Sequence, residues 1–485
     1  MTQQPVDYSR KWLVMSAIAM GIFLSTIDGS IVNVALPTLV SSFQTDFAIV
    51  QWVVLAYLLT VTTLMLSMGR LGDMVGKKPL YTAGLVLFTI GSVLCGLAPT
   101  EYWLIGSRVL QALGASAIMA LGTAILTEVF PPSERGKALG IGGTMVSVGI
   151  MAGPMLGGLI INALSWHWIF FVNLPIGIIG FILVLRFVPD IRPASKQRFD
   201  LPGAVILCSG LLTLLLSLTF GQQTGFSSAP AVALFAAFLV LLAAFLLIET
   251  RSKNPMIDFS LFQNRLFSVN LITGFTSFVS AAGTVILMPF YLQDVLRYGP
   301  EVVGLMMGVV PIAMGVMAPI AGWLSDQVGP RRIIVFGLFA SLVGYYAAST
   351  LRMDTSIPGY LLRFIPIGIG QGVFNAPNNS AIMGSVPRSR LGVASGLLSM
   401  TRTLGQTVGI AVLGALWATR TAFYTGNAIG VDATSASASS QVAALNDTYL
   451  ATTALIAVAL LLAVWGLANE LRGETGPMAQ PETSR

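Results

Sequence analysis

A few ionisable residues stand inside long apolar runs, where charge is costly, and they are the natural starting point for any chemistry. Asp28, in Ile27-Asp28-Gly29-Ser30, is the one acid well inside such a run; the other acids fall near run ends or in loops. It lies about 16 residues into its run, or ~24 Å along a helix rising ~1.5 Å per residue. A carboxylate in apolar surroundings either exchanges a proton or is held permanently by a partner. Arg108, in Ser107-Arg108-Val109-Leu110-Gln111, lies ~10 Å from the end of its own run, close to the depth of Asp28. A guanidinium cannot shed its charge and needs a partner or a wet cavity. The two together suggest a proton site. Arg108 close by favours the carboxylate and proton release, and separation allows reprotonation. Arg363 and Arg402 are also internal. Arg363 sits near the position corresponding to Arg108 in an internal repeat, and Arg402 could bond carbonyls or meet an anionic group. Asn33, Gln111, Asn375 and Arg402 are the polar candidates for lining a substrate cavity.

Two glycine-punctuated loops form a second constellation. Gly69–Tyr81 reads GRLGDMVGKKPLY, and Gly322–Ile334 reads GWLSDQVGPRRII, with Gly69, Asp73 and Gly76 meeting Gly322, Asp326 and Gly329 at a constant offset of 253. Gly149, Gly153 and Gly158 likewise meet Gly405, Gly409 and Gly414 at an offset of 256. A self-match at so long a spacing indicates two homologous halves rather than a short solenoid repeat. Asp73 can accept from helix N-terminal amides or pair with a basic side chain, and Lys77 and Lys78 would meet anionic headgroups. The recurrence points to a latch between moving halves, carried by Gly69, Asp73, Gly76, Lys77 and Lys78 and by Asp326, Gly329 and Arg331. In Gly149-Ile-Met-Ala-Gly153-Pro154-Met-Leu-Gly157-Gly158 the glycines flatten one helix face for close approach, and Pro154 bends the helix.

The elements that must position these residues are membrane spans. Of 485 residues 55% are apolar and 9% charged, with mean hydropathy +0.82. A water-soluble domain carries about 25% charged residues, so this composition describes an all-α polytopic membrane protein. A span needs about 20 apolar residues, and on that rule the chain holds fourteen, arranged six + two + six. Residues 12–187 and 266–468 form the two six-helix bundles and 188–265 an inserted pair with its loops; 1–11 and 469–485 are tails. Residues 419–446, rich in Ser, Ala and Thr, read as a flexible outer loop. Twenty loop Lys and Arg lie on the side of the N-terminus and three (Arg297, Arg352, Arg420) on the other, which makes both termini cytoplasmic. The first run is too long for a signal peptide and has no cleavage site. The absence of period-two alternation speaks against a β-barrel. All eight tryptophans fall near span ends, where interface anchoring explains most of them. Cys95 and Cys208 are expected as free thiols. The net charge of +6 is topological and does not indicate nucleic acid. There is no phosphate-binding glycine loop, no metal-ligand cluster and no nucleophile triad around the single histidine, His167, so neither an ATP-driven pump nor an enzyme is expected.

On these motifs the chain resembles the major facilitator superfamily, and within it the fourteen-span drug:proton antiporters. GRLGDMVGKK is similar to the family's motif A, with Met74 where Arg is common; Arg108 lies in a segment similar to motif B, with Ala112 for the commoner Gly. Gly149–Gly158 matches the antiporter motif, and Ile27–Pro37 resembles the branch's span-one motif, with Ser30 for Thr. His167 stands where the family shows Arg between two tryptophans. The resemblance implies a monomeric, proton-coupled secondary exporter of an amphiphilic small molecule (drug, dye or lipid-like) in a bacterial inner membrane. It would work by alternating access, with the proton gradient as its energy source and no cofactor or metal. Asp28 would carry the proton and Arg108 tune it, and Asp73 would stabilise one access state. Two alternatives stand beside this: the same machine moving a lipid or anionic amphiphile, and a membrane sensor or scaffold that does not transport.

Overall fold

The computed structural model describes residues 10–131, 134–190, 201–251, 259–386, 391–426 and 432–471, and all regular structure among them is helical. The first group of helices comprises α1 (Lys11–Phe43), α2 (Phe47–Val75), α3 (Lys77–Gly96), α4 (Glu101–Val129), α5 (Arg135–Ala163), the short α6 (Trp168–Phe171) and α7 (Asn173–Phe187). An antiparallel pair follows, α8 (Leu201–Thr224) and α9 (Ala229–Arg251). The second group is α10 (Arg265–Phe290), α11 (Pro300–Met307), α12 (Val309–Val328), α13 (Pro330–Ala348), α14 (Ile357–Gly384), α15 (Leu391–Thr425) and α16 (Ala438–Leu471). Ten stretches among the described residues are helical, long and apolar enough to cross a membrane.

The elements follow from composition punctuated by turn residues. Gly76 ends α2 and opens α3 at φ +108°, and Gly329 does the same between α12 and α13 at φ +88°. Side chains rarely adopt that conformation, which explains a glycine at both copies of the repeated loop. Thr100, Asn264 and Ser356 cap α4, α10 and α14 with side-chain oxygens accepting from the first-turn amides.

In the first group α1 packs on α5, α7 and α4, while α3 and α2 pack on α4. The second group repeats this with α10 on α15 and α16, and α13 on α14 and α16. The glycines that permit close approach are themselves duplicated. A Cβ on Gly84 would stand 3.0 Å from the Gly114 carbonyl, and one on Gly337 would stand 2.9 Å from that of Gly370. Between the groups, α5 crosses α11 and α2 lies along α15. Helix α8 touches both α2 and α15, and Trp52 Nε1 donates to Thr219 Oγ1 at 3.0 Å. Helix α9 has mean hydropathy 3.0 over its apolar window and points Val232, Phe235, Leu239, Val240 and Leu247 outward.

Helix α1 has 33 residues, about 50 Å, and Asp28 stands near its middle, about 25 Å from Lys11. One expectation is corrected. Most of 419–446, read as an outer loop, is helical: α15 runs to Thr425, a 3₁₀ turn spans Ala433–Ser435, and α16 begins at Ala438. Arg420 pairs with Asp447 at 2.6 Å and Trp417 Nε1 donates to the Gln441 carbonyl at 3.2 Å, so this segment docks by polar contacts that hydropathy does not register. Residues 427–431 lie outside the described residues. Of the tryptophans, Trp166 and Trp417 are buried.

Candidate functional site

Five helices of the first group converge on Asp28, which is completely buried. Arg108 Nη1 donates to Asp28 Oδ2 at 2.5 Å, and its Nε donates to the Val53 carbonyl at 3.0 Å. Gln111 Nε2 and Asn173 Nδ2 both donate to Asp28 Oδ1 at 2.8 Å. The same two amides donate to Ser92 Oγ, at 2.7 and 2.9 Å. Gln111 Oε1 accepts from Arg108 Nη1 at 2.7 Å, and because a guanidinium can only donate, this fixes which end of the Gln111 amide faces Asp28. The guanidinium carbon lies 4.2 Å from the centre of the Tyr57 ring, and Tyr57 is pinned by its hydroxyl donating to the Ser25 carbonyl at 3.2 Å.

Every partner of the Asp28 carboxyl is a donor and none is an acceptor, an arrangement that suits a carboxylate paired with a guanidinium. Two buried atoms here, Arg108 Nη2 and Asn173 Oδ1, have no hydrogen-bond partner among the described residues. The network is thus closed around the charges and incomplete at its edge. Asn173, Ser92 and Tyr57 were not singled out from the sequence. The available signal was for Asn173 alone: a polar residue in Phe170-Phe171-Val172-Asn173-Leu174-Pro175, where the break between α6 and α7 puts it at a helix start.

The glycine face of α5 holds α1 beside this site. The Ser30 hydroxyl donates to the Gly149 carbonyl at 3.0 Å, and Cβ atoms on Gly153 and Gly157 would stand 2.9 Å from Ile31 N and 3.0 Å from Ile31 O. Gly158 turns instead to the second group, where its Cβ would stand 3.0 Å from Gly304 Cα. The segment around Pro154 therefore touches both the helix of Asp28 and the opposite half. Other links between halves gather at the same end of the bundle, far from the termini. Gln51 Nε2 donates to the Ile410 carbonyl at 3.3 Å, Gln293 Nε2 to the Val34 carbonyl at 3.1 Å, and Asn162 Nδ2 to Glu301 Oε2 at 3.2 Å. Phe47 meets Phe290 and Trp417 edge to face, each at 5.0 Å between centroids, and its amide donates to Asp432 Oδ1 at 3.2 Å.

The remaining candidates fall elsewhere. Lys77 pairs with Glu128 of α4, and Lys78 Nζ donates to the Leu185 carbonyl at 3.0 Å. Gly69 has open space around it, and Arg331 borders a shallow pocket between α10 and α16. The side chains of Asp73 and Asp326 lie outside the described residues. Of the cavity candidates, Gln111 is consumed by the Asp28 network and Asn33 is 4% exposed, its Nδ2 donating to the Gly29 and Ser30 carbonyls of its own helix. Asn375 and Arg402 are half-buried. Arg363 is not the counterpart of Arg108: the offset of 256 that joins Gly114 to Gly370 puts Phe364 there, stacked on Tyr360 at 4.1 Å. Arg363 bonds Thr350 Oγ1 and the Gly359 carbonyl at 3.1 and 2.8 Å. At that offset the second half has Phe364 where the first has Arg108 and Thr284 where the first has Asp28.

Comparison with known proteins agrees with this duplicated architecture. The family model for the Major Facilitator Superfamily matches residues 18–410 and 266–473. The chain is 37% identical to the riboflavin transporter RibZ of Clostridioides difficile over 410 residues, covering 84% of this chain and 89% of that one. It is 34% identical over 410 residues to the multidrug resistance protein Stp of Mycobacterium tuberculosis, covering 84% and 76%. The fold matches that of a bacterial homologue of the lysosomal transporter Spinster, with TM-score 0.67 and 18% identity over 97% of this chain and 99% of the other. These relatives are transporters and not enzymes. A duplicated helical bundle built on such a sequence is a multi-span membrane transporter, and the chain belongs to the Major Facilitator Superfamily.

Proposed function

We propose that this transporter is a proton-driven exporter of amphiphilic small molecules, of the fourteen-span, six + two + six antiporter branch, with residues 12–187 and 266–468 as its moving halves. The observation that carries the reading is the buried Asp28 carboxyl, held by Arg108, Gln111 and Asn173 within the first half. A structural core has no need of an ion pair there, as the aromatic counterpart in the second half illustrates. Asp28 takes up a proton when the Arg108 contact opens and releases it when the contact re-forms, and this exchange is coupled to which side the cavity faces. The excess of basic loop residues on the side of the termini makes that side cytoplasmic, in a bacterial inner membrane. The contacts clustered at the opposite end then correspond to an inward-facing state, and the motif A loop serves as the latch of the alternative one. The drug-exporting and riboflavin-transporting relatives support an amphiphilic cargo.

The test is transport in proteoliposomes under an imposed pH gradient, with ethidium, riboflavin and 11-(dansylamino)undecanoic acid as probes. Wild type is expected to move at least one probe in a gradient-dependent way, and Asp28→Asn to fall to background while remaining folded. An Asp28→Asn protein that transports like the wild type would remove Asp28 from the proton path.

A further inference from the structure

Arg402 is the internal cation that the proton site does not use. It stands on the twelfth residue of α15 and is half-buried, yet it makes no hydrogen bond and no ion pair among the described residues. Arg108, Arg363 and Arg420 all have such partners. Its direction follows from the contacts of its helix. Gly405 and Gly409 face α10, with Cβ positions 3.0 Å from the Phe275 carbonyl and 2.8 Å from Val279 Cα, while Ile410 and Gly414 face Gln51 of α2. At 100° per residue, Arg402 falls on the strip between these faces, with Gln406 one turn on and Ser399 one turn back. That strip lies between the face packed on α10 of its own half and the face packed on α2 of the other, and Phe275 and Phe278, both half-buried, flank it from α10.

Among the described residues no carboxylate pairs with this charge. In the second half Asp294, Glu301, Asp326, Asp354 and Asp432 lie at helix ends or in connections, Asp447 of α16 pairs with Arg420, and Asp28 is already matched by Arg108. A guanidinium left alone in a low-dielectric interior is costly, and such residues mark substrate paths. An anion would complete it with paired N–H donors.

We propose that Arg402 is an anion-recognising group of the translocation path, so that the favoured cargo carries a carboxylate, phosphate or sulfonate on an apolar body. The proposal rests on the transporter reading and deepens it by naming the charge of the cargo. The acidic group pairs with the Arg402 guanidinium and Gln406, and the apolar body lies against Phe275 and Phe278.

Equilibrium binding tests it without any proton gradient, so failure here leaves the proton reading standing, and failure of Asp28→Asn to stop transport leaves this one standing. Purified protein in phosphatidylcholine nanodiscs is titrated with 11-(dansylamino)undecanoic acid and with its methyl ester. Wild type should bind the acid about tenfold or more tightly than the ester, the effect of one charge-assisted contact. Arg402→Gln should bind the two alike, and Arg402→Lys should keep part of the preference. If Arg402 instead served packing, Arg402→Gln would melt at a lower temperature; removal of an unpaired cation should leave Tm unchanged or raise it. Phosphatidylglycerol added to the nanodiscs separates two sources of the anion. Displacement of the acid from wild type identifies a lipid headgroup as the cargo, and no displacement identifies a free amphiphilic acid. A wild type without preference for the acid, an Arg402→Gln protein that keeps the preference, or no binding of either probe would overturn the proposal.

Discussion

Asn173 and Arg108 hold the same carboxyl by different chemistry, and the difference can be measured. Arg108 brings charge, so its loss removes both a contact and the neutralisation of Asp28. Asn173 brings only a donor to Oδ1, shared with Ser92. A hydrogen bond to a charged group contributes about 1.5–3 kcal/mol, and 1.36 kcal/mol corresponds to about one pH unit. Asn173→Ala should therefore leave transport functional but move the midpoint of its pH profile upward by about one to two units, since the carboxylate loses a donor and releases its proton less readily. Asn173→Asp should be far more damaging, because it sets a second carboxyl against the first. An unshifted profile in Asn173→Ala would make the residue a packing element only. Asp28 and Arg108 were legible in the sequence because charge inside an apolar run is rare. Asn173 and Ser92 were not, because neutral polar residues are common in spans and only a shared partner distinguishes them.

Helices and their connections decide what happens at the far end. The turn between α1 and α2 carries Asp46, and burial and the nearby Asp432 of the other half push its carboxyl above the usual carboxylate range. A group whose affinity for protons is raised by closure makes closure easier as pH falls and harder as pH rises through its raised pKa. Spin labels at the exposed positions Leu97 and Met353, one in each half, should report a shorter-distance population that grows on acidification. Asp46→Asn should fix that population at its acid level across the range, and a pH response unchanged by the substitution would assign the sensing to another group. Hydropathy located these helices to within a few residues at most ends, since it reports where lipid would cover the chain. It could not report where a helix continues past its apolar run, as α15 and α16 do beyond 418 and before 447, nor the breaks at Val172 and Gly308.

At the scale of the molecule, the two halves share one apolar core at the far end, with Ile31, Phe47 and Val50 on one side and Ile286, Phe290 and Ile410 on the other. Helix α8 spans this seam by touching α2 and α15, which gives the inserted pair a place in the architecture that its sequence did not disclose. Asn162 and Glu301 bond across the seam at 3.2 Å. Cysteines at both positions, in a background lacking Cys208, should cross-link under mild oxidation and stop transport, and reduction should restore it. Transport that continues with the link formed would show that these ends need not part.

The crossing of α5 and α11 has a mechanical consequence. From Gly158 the arm of α5 toward Arg135 is about 34 Å long and the arm toward Ala163 about 8 Å, at ~1.5 Å per residue. A rigid lever pivoting at this fulcrum would swing its long tip roughly four times as far as its short one. Parting the short tips by ~5 Å would drive the long ones through ~20 Å, into the opposite half. Stiff rods cannot gate both ends from this pivot. Each helix, however, is weak four residues on the long-arm side of it, at Pro154 in α5 and at Gly308 between α11 and α12. Those joints let the short tips flex apart while the long arms travel only as far as the cargo requires.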